Sequence, residues 1–477
     1  MLKGYLFCLV GLCLPIFGLN RDQLTLLKND IDRIIYRQDQ TATIGIDIVN
    51  LHTGEHLYER NRDHRLIPGG CIKLFTLAAA YEYLGIDHQF ETSVFSDGEI
   101  ENGVVYGNIY LKGSGDPTLV SANLDDLAHQ LSVLGIREIK GKLIVDASGF
   151  DSMATGPGWA WGDVKPDISV PSALSINQSC CDLWIRPGVN EAAPAEIISD
   201  IPLNQLSIKI DNQTLTLSKS KKDTIEITQE RKNHKSTLHV MGQLALKGSP
   251  TLYKVPVENP PMMAGMTMQT LMHGKSIQLR GEIKEGITPP KSHALASCSS
   301  GALVQIGQMM CKNDNDYYAH CLLKTLGQHQ RGTPGTWQSG SSVIRNFAAE
   351  NIKIDPKEIA LLDGSGLSRY NLISPAHMTR FLSWAYNHSQ YSHELLSALS
   401  IAGIDGSLKT RLIAPHHKGR IRGMAGSMKG ISSFTGICWC RAKEPIAVTI
   451  VINNSVKPEK ELDTQLIDPI CALITEL

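Results

Sequence analysis

The sequence predicts a mixed α/β (α+β) fold in which the two ends of the chain form one sheet flanked by helices, with a long strand-rich insertion between them. At the N-terminus, residues 22–37 have the periodicity of a helix, and residues 43–50 begin a β-hairpin. At the C-terminus, strands are indicated around 433–441 and 446–453, followed by a helix from Thr464. Elements of this kind at both ends of a chain pack as one sheet with helices on its faces.

A helix predicted over residues 71–84 is apolar on nearly all sides and is expected at the centre of this domain. Its apolar residues recur at intervals of three and four, and alanines fill the other faces: Leu74, Leu77, Ala78, Ala79, Ala80 and Tyr81. Gly85 follows as the stop signal. Such a helix needs cover on every side, and the C-terminal segments offer the amphipathic helices to provide it. We therefore expect residues 24–85 and 295–477 to form one domain, with 86–294 inserted.

The inserted region contains one short unit twice. Residues 127–141 are predicted to form a helix, a strand and a closing glycine, and residues 266–281 show the same order. Two copies indicate an inserted domain built from related halves, with a strand-rich stretch at 200–250 between them.

Composition limits the classes of function. The chain has 477 residues, and 46 Lys+Arg against 47 Asp+Glu give a formal net charge of −1. A nucleic-acid-binding protein normally has a basic excess, so that class is disfavoured. Hydrophobic residues make up 42% of the chain and charged residues 19%, which favours packed cores over a disordered chain.

Residues 1–20 are predicted to be a signal peptide. Lys3 precedes an apolar run from Tyr5 to Phe17, and the small residue Gly18 suits a cleavage site. The run is too short to span a bilayer. The alternative is an uncleaved N-terminal anchor. In both cases we expect the rest of the chain in the periplasm or another extracytoplasmic space, with no membrane span after signal cleavage.

The cysteines do not indicate a metal site. Nine of them follow the signal segment, and an odd number in an exported chain leaves at least one free thiol. Cys311 with Cys321, or Cys438 with Cys440, are candidate disulfide pairs, and the alternative is that most are small buried hydrophobic residues. There is no CxxC spacing, HExxH motif or GxSxG motif, so the sequence predicts no metal and no cofactor.

Seven stretches resemble the class C low-molecular-mass penicillin-binding proteins, a family of exported D-alanyl-D-alanine carboxypeptidases and endopeptidases. They follow the family's order across nearly the whole mature chain: LKGSGDPTL (111–119), IKGKLIVDASGFD (139–151), GPGWAWGD (156–163), PSALSINQS (171–179), YYAHCLLKTLG (317–327), LDGSGLSRYNLISP (362–375) and IAGIDGSLKTRL (401–412).

This resemblance implies a penicillin-binding, serine β-lactamase-like transpeptidase domain, in which a five-stranded sheet has helices on both faces. A second domain is inserted into it, and a third into the second. The expected boundaries are 21–85 with 295–477 for the peptidase-like domain, 86–185 with 255–294 for the inserted domain, and 186–254 for the nested one. The resemblance also implies peptidoglycan peptides as substrates.

The family's first motif is Ser-x-x-Lys, in which the lysine takes the proton of a nucleophilic serine on the same helix face. In the matching stretch, IPGGCIKLF (67–75), Lys73 is present but the serine position is Gly70, which has no side chain. Cys71 is a candidate to replace the missing nucleophile. However, one step along a helix turns a side chain by about 100°, away from the face of Lys73, so we expect Cys71 to pack rather than react.

The other two motifs are degenerate as well. The family's Ser-x-Asn matches Asp314, Asn315 and Asp316, and a one-residue slip to 313–315 restores the asparagine but no serine. The family's Lys-Thr-Gly, which holds the substrate carboxylate, matches Met424, Ala425 and Gly426. The hydroxyl of Ser427 remains nearby, and Lys429 would need a register slip to replace the missing cation.

Losing all three motifs changes the expected charge of the site. A family-like site carries two lysines, whereas this one carries Lys73 with Asp314 and Asp316, so the local charge changes from about +2 to about −1. A substrate carboxylate would be repelled. We expect Lys73 to pair with one of the aspartates, and the alternative is that both aspartates are solvated surface charges.

Two functions are compatible with these residues. The favoured one is an exported, catalytically inactive homologue that acts as a cell-wall or protein-binding module, with peptidoglycan peptides or a cell-envelope protein as partner. The other is an active serine-type D-Ala-D-Ala carboxypeptidase in peptidoglycan metabolism that uses displaced residues. Ser365 lies in a GSG segment, but the resemblance assigns that segment to the framework.

Overall fold

The computed structural model describes residues 21–477 except 39, 161, 164–168, 205, 219–222, 233–234 and 333. The predicted signal peptide, residues 1–20, lies outside the described residues. Within the described part of the chain, the structure has no helix with the length and apolar character needed to cross a bilayer.

The α-helices of the described residues are, in chain order, α1 (Arg21–Tyr36), α2 (Lys73–Leu84), α3 (Ser121–Val133), α4 (Pro260–Gly274), α5 (Leu303–Lys312), α6 (Asp316–Arg331), α7 (Trp337–Asn351), α8 (Pro375–Asn387), α9 (Ser392–Ala398), α10 (Glu459–Leu462) and α11 (Asp468–Glu476). The last two are joined by a short π-helical turn at Asp463–Ile467, so the C-terminal helix expected from Thr464 is interrupted.

The strands are β1 (Thr43–Asn50), β2 (His56–Arg60), β3 (Glu91–Ser96), β4 (Glu99–Glu101), β5 (Val104–Tyr106), β6 (Ile109–Lys112), β7 (Glu138–Ile139), β8 (Leu143–Asp146), β9 (Cys180–Arg186), β10 (Glu196–Ser199), β11 (Ile208–Leu217), β12 (Glu226–Lys232), β13 (Lys235–Ala245), β14 (Thr251–Pro256), β15 (Gln278–Leu279), β16 (Ile283–Glu285), β17 (His293–Ser299), β18 (Ser400–Ile401), β19 (Ile421–Met428), β20 (Ile431–Trp439) and β21 (Pro445–Asn453).

Both ends of the chain share one antiparallel sheet, as the sequence predicts. Its strand order is β18-β19-β20-β21-β1-β2, so the N-terminal hairpin pairs directly with the last strand. Four of its strands have eight or nine residues, β2 has five, and β18 adds a two-residue edge. The mixed α/β fold class is confirmed, and the sheet has one short strand more than expected.

Helix α2 is buried on all sides within the domain that contains this sheet. Its residues from Lys73 to Tyr81 are buried, and all of them except Lys73 and Thr76 have apolar side chains. It packs against α5, α6, α7 and α9, all of which come from the C-terminal part of the chain. This packing supports the proposed division into domains, whose boundaries remain a prediction.

The two repeated units of the insertion lie side by side. Helices α3 and α4 pack against each other, and β7 and β15 pair in parallel. Their buried residues belong to a separate hydrophobic core that draws on residues 94–296. The packing supports an inserted domain built from related halves.

Eight of the nine cysteines after residue 70 are buried, and Cys298 is partly exposed. Neither candidate disulfide is formed in the structure. Most of these cysteines therefore act as small hydrophobic residues of the core.

Candidate functional site

The candidate site begins at a tight turn in front of α2. A 3₁₀ turn at Gly69–Ile72 follows Pro68, and Gly69 adopts a left-handed backbone with φ of +54°. Strand β19 passes very close to this turn, because a Cβ atom added to Gly426 would lie 2.5 Å from the backbone nitrogen of Gly70. Glycine at 426 is therefore required by the close approach of the two backbones.

Lys73, the first residue of α2, is held by two carboxylates. Its Nζ lies 2.7 Å from Oδ1 of Asp314 and 2.6 Å from Oδ1 of Asp316. It also donates to the backbone oxygen of Ser365 at 3.1 Å. The lysine side chain is 1% exposed, whereas those of Asp314 and Asp316 are 44% and 35% exposed. The predicted ion pair is confirmed, and it involves both aspartates rather than one.

The connection between α5 and α6 positions the two aspartates. Asp314 adopts a left-handed backbone with φ of +50°, which turns the chain between the helices. Asn315 caps α6 by accepting a hydrogen bond from the Tyr318 N–H at 3.1 Å. Asp316 is the first helical residue, where the helix dipole favours a negative charge. Asn315 is thus the N-cap of α6, and the register of this motif, at 314–316 or at 313–315, stays a prediction.

The electrostatics of the site favour a protonated Lys73. Burial alone lowers the pKa of this amine, but the charges of Asp314 and Asp316 and their hydrogen bonds outweigh it and raise the pKa above its usual value. A general base in the family mechanism must be a neutral amine that accepts a proton. Lys73 is instead held as an ammonium whose donors are already engaged.

Gly70 faces this ion pair. A Cβ atom on Gly70 would lie 3.3 Å from Nζ of Lys73, 3.0 Å from Oδ1 of Asp314 and 3.4 Å from the backbone oxygen of Ala425. The backbone thus points position 70 at the lysine and at β19, which is the arrangement that a Ser-x-x-Lys nucleophile requires. The side chain that would react there is absent.

Cys71 points away from the lysine, as the helical geometry predicts. Its thiol donates to the backbone oxygen of Met424 at 3.2 Å and lies 3.4 Å from Oγ of Ser433, on the side of β19 and β20. Burial raises the pKa of Cys71 to about 11. The thiol is therefore protonated and enclosed, which supports a packing role.

Strand β19 brings the third motif to the site without a cation. Met424 is fully buried in the hydrophobic core, and Ser427 is exposed. The register between β19 and β20 runs without a shift from Ile421 opposite Cys438 to Met428 opposite Ile431. Lys429 lies in the turn beyond the strand and is exposed, so no register slip brings its ammonium into the position of the missing lysine.

His320 is a titratable residue of the site that sequence reasoning missed. Its Nε2 lies 2.8 Å from Oγ of Ser365, and the imidazole contacts the rings of Trp159 and Trp337, which also contact each other. Burial lowers the pKa of His320 to about 3, so the ring is neutral at pH 7. The available signal is its spacing of four from Asp316, which places both on one face of α6.

Beside the ion pair lies a cavity of about 260 Å³. Asp314, Asp316, His320 and Gln178 are among the residues that line it. Asp163 also lines it and forms a salt bridge with Arg369, whose NH2 lies 2.8 Å from Oδ1. The wall formed by the described residues is polar and carries more negative than positive charge.

Comparison with known proteins gives a consistent relationship over most of the chain. A model of the D-Ala-D-Ala carboxypeptidase 3 (S13) family matches residues 27–475. The D-alanyl-D-alanine carboxypeptidase of Actinomadura sp. (strain R39) is 28% identical over 431 residues, which cover 87% of this chain and 78% of the relative. The D-alanyl-D-alanine carboxypeptidase DacB of Haemophilus influenzae is 25% identical over 445 residues, covering 92% and 91%.

Solved structures show the same relationship in three dimensions. Penicillin binding protein 4 (dacB) from Haemophilus influenzae matches with a TM-score of 0.79 at 25% identity, covering 93% of this chain and 97% of that one. A predatory endopeptidase from Bdellovibrio bacteriovorus matches with a TM-score of 0.51 at 15% identity, which is a likeness of fold.

Proposed function

Because this chain belongs to the D-Ala-D-Ala carboxypeptidase 3 (S13) family, yet has glycine where the family motif has its nucleophile, we propose that it is a catalytically inactive member. Its role is then that of a cell-wall or protein-binding module. The observation that carries this proposal is the arrangement at Gly70. The backbone directs that position at Lys73, but no side-chain oxygen or sulfur is there to attack a carbonyl carbon.

The state of Lys73 supports the same conclusion independently. An ammonium that donates to Asp314, Asp316 and the Ser365 carbonyl has no lone pair with which to accept a proton from a nucleophile. Removing its proton would also leave two carboxylates without their counter-ion. The family's proton-transfer step therefore lacks both its donor and its acceptor.

The charge of the site argues against the family's substrate contact. Lys73, Asp314 and Asp316 sum to −1, and the strand position that would carry a cation is the buried Met424. A peptide carboxylate approaching this site meets carboxylates rather than a clamp. A partner that offers amide, hydroxyl or cationic groups suits the site better.

The proposed location is outside the cytoplasm, on the strength of the N-terminal 20 residues. Peptidoglycan peptides or a cell-envelope protein are then the partners within reach. The family relationship makes the former the natural first probe.

A second candidate, an active D-Ala-D-Ala carboxypeptidase that uses displaced residues, is favoured by one observation. Ser365 and His320 lie at hydrogen-bonding distance, 2.8 Å, as a hydroxyl and its general base do. Against it, the Ser365 side chain is 1% exposed, and its oxygen also accepts the Leu367 N–H at 3.3 Å. Catalysis there requires an opening that the structure does not have.

The proposal is tested by measuring D-alanine release from a D-Ala-D-Ala pentapeptide, with the Haemophilus influenzae relative as positive control. We expect release at the rate of the uncatalysed reaction. In parallel, co-sedimentation of the purified protein with peptidoglycan sacculi measures binding without turnover.

Release above background would contradict the inactive assignment, and its loss in Ser365→Ala but not in Cys71→Ala would establish the displaced-residue alternative. Absence of both release and sacculus binding would leave a cell-envelope protein as the partner class. A cross-linking experiment in intact cells then identifies it.

A further inference from the structure

Two adjacent histidines and a glutamate meet far from the site described above. His416 and His417 lie in the segment that leads into β19, and Glu476 is the last residue of α11. One nitrogen of each imidazole and a carboxylate oxygen of Glu476 all lie within 4.8 Å of one another. The Nε2 atom of His416 is 3.8 Å from Oε1 of Glu476. Imidazole nitrogen and carboxylate oxygen are donors that zinc accepts.

The hydrogen bonds around His417 favour one tautomer. Thr475 Oγ1 donates its proton to the backbone oxygen of Ala472 at 2.8 Å. The same oxygen lies 2.7 Å from Nδ1 of His417, so it accepts the Nδ1–H of the imidazole. His417 Nε2 therefore carries a lone pair. A buried histidine whose other nitrogen is fixed by an oxygen acceptor is the usual setting of a metal-ligating imidazole.

The helix supports a cation at this place. Glu476 ends α11, where the unsatisfied carbonyl groups of the last turn make the local potential negative. A divalent ion here would be attracted by both the carboxylate and the helix end.

A second cluster of similar composition serves as a contrast. Asp47, His56 and Glu59 also lie within 4.8 Å of one another. There, the guanidinium of Arg62 contacts both His56 and Glu59, and the hydroxyl of Thr379 donates to Asp47. A cation already occupies that cluster. In the first cluster, burial and, to a lesser extent, the charge of Arg420 contribute to a lowered pKa of His417, but among the described residues no arginine or lysine side chain forms a hydrogen bond or ion pair with its three members.

We propose that His416, His417 and Glu476 bind one Zn²⁺ ion, with Nε2 of each imidazole and a carboxylate oxygen as ligands. Three protein ligands leave a fourth tetrahedral position for water or for a group from a partner. The ion joins the segment before β19 to α11, so its role is to hold α11 against the main sheet. This inference is independent of the proposed function, because none of its residues contacts Lys73.

The proposal is tested by titrating ZnCl₂ into the metal-stripped full chain, purified without a histidine tag, in a calorimeter. We expect saturable binding of one ion per chain and a rise in the unfolding temperature on zinc addition. His416→Ala and Glu476→Gln should each weaken binding by at least about tenfold. Both side chains are about half exposed, so these variants are expected to fold.

Two further variants separate coordination from a general loss of stability. Thr475→Val removes the acceptor that orients His417 and should weaken zinc binding about 10- to 100-fold, whereas Thr475→Ser keeps the hydroxyl and should bind as the unmodified chain does. His56→Ala is the matched control in the second cluster and should leave zinc affinity unchanged.

Absence of saturable binding would overturn the proposal, as would equal affinity in the unmodified chain and in His416→Ala and Glu476→Gln. Loss of zinc binding in His56→Ala would place the ion in the second cluster and would equally contradict the proposal. With Co²⁺ in place of zinc, the visible absorption of a tetrahedral nitrogen and oxygen site is expected, and its absence would argue against direct coordination.

Discussion

The Nζ atom of Lys73 lies 2.6 Å from Oδ1 of Asp316, where the family motif has an asparagine. In the family motifs, these two positions serve proton transfer and substrate orientation. Here they form an ion pair in which Lys73 is buried and Asp316 is partly exposed. The neighbouring Asp314 makes the same contact from the other end of the motif. The charge of the buried lysine is thereby compensated by two carboxylates.

This geometry predicts that the two sides of the ion pair differ in their effect on stability. Asp314→Asn with Asp316→Asn leaves a lysine that is 1% exposed without a counter-ion and should lower the free energy of unfolding by about 3–5 kcal/mol. Lys73→Met leaves carboxylates that regain water and should cost less than about 2 kcal/mol. Urea unfolding of both variants measures the difference. Equal costs, or the reverse order, would show that the burial of the pair is not as described.

A second prediction concerns the repair of the site. Gly70→Ser alone should not form an adduct with labelled penicillin, because Lys73 remains an ammonium between two carboxylates. Gly70→Ser combined with Asp314→Ser and Asp316→Asn frees the lysine and should label to a much greater extent, since groups that act together are strongly non-additive. Adding Met424→Lys and Ala425→Thr restores the third motif. Position 424 is buried, so the surrounding side chains must rearrange to accommodate the longer, charged side chain.

The matched control for this series is Asp314→Ser with Asp316→Asn on a background that keeps Gly70. It has the freed lysine but no nucleophile at position 70 and should not label. Labelling of that control would show that a residue other than the one at position 70 attacks the β-lactam. Labelling of Gly70→Ser alone to the level of the triple variant would show that the lysine is not locked.

A third prediction concerns acid stability. Burial lowers the pKa of His320 to about 3, whereas an unfolded histidine has a value near 6.5, so the unfolded chain binds a proton that the folded chain does not. The stability associated with the neutral ring is fully present above pH 6.5 and is lost as the pH falls toward 3, at about 1.4 kcal/mol per pH unit. His320→Gln should reduce the slope of the free energy of unfolding against pH between pH 6.5 and 3. The exposed His388→Gln serves as control, and an equal change in both variants would refute the assignment.

A fourth prediction separates the cysteines by access. Burial raises the pKa of both Cys71 and Cys298 to about 11, so the two thiols differ in access: Cys71 is fully buried, whereas Cys298 is the one cysteine among the described residues that is partly exposed. Brief alkylation of the native protein, mapped by peptide mass spectrometry, should modify Cys298 well before Cys71. Preferential modification of Cys71 would mean that its thiol faces the site after all.

Much of the fold could be predicted because the pattern is local. The all-apolar helix at 73–84 and the strands of the N-terminal hairpin follow from periodicity alone. No helix was predicted over 337–351, a segment whose start is rich in Ser and Gly. That helix forms because Thr336 caps it and its apolar face packs on α6.

The candidate site was predictable in its residues but not in its geometry. Motif spacing identifies Gly70, Lys73, Asp314 and Asp316, but sequence could not tell whether one aspartate, both or neither meets the lysine. That outcome depends on the left-handed turn at Asp314, a tertiary feature. Sixty residues separate His416 from Glu476, so no spacing rule could detect the cluster near the C-terminus.

The central claim, that no nucleophile remains at the family's catalytic position, is tested most directly by the intact mass of the unmodified protein after incubation with penicillin. A covalent adduct requires a side chain that attacks the β-lactam carbonyl, and Gly70 offers none, so the mass should stay that of the free chain. The Haemophilus influenzae relative, treated in parallel, serves as the positive control. A stable mass increase equal to one penicillin, mapped to any residue of the candidate site, would contradict the account.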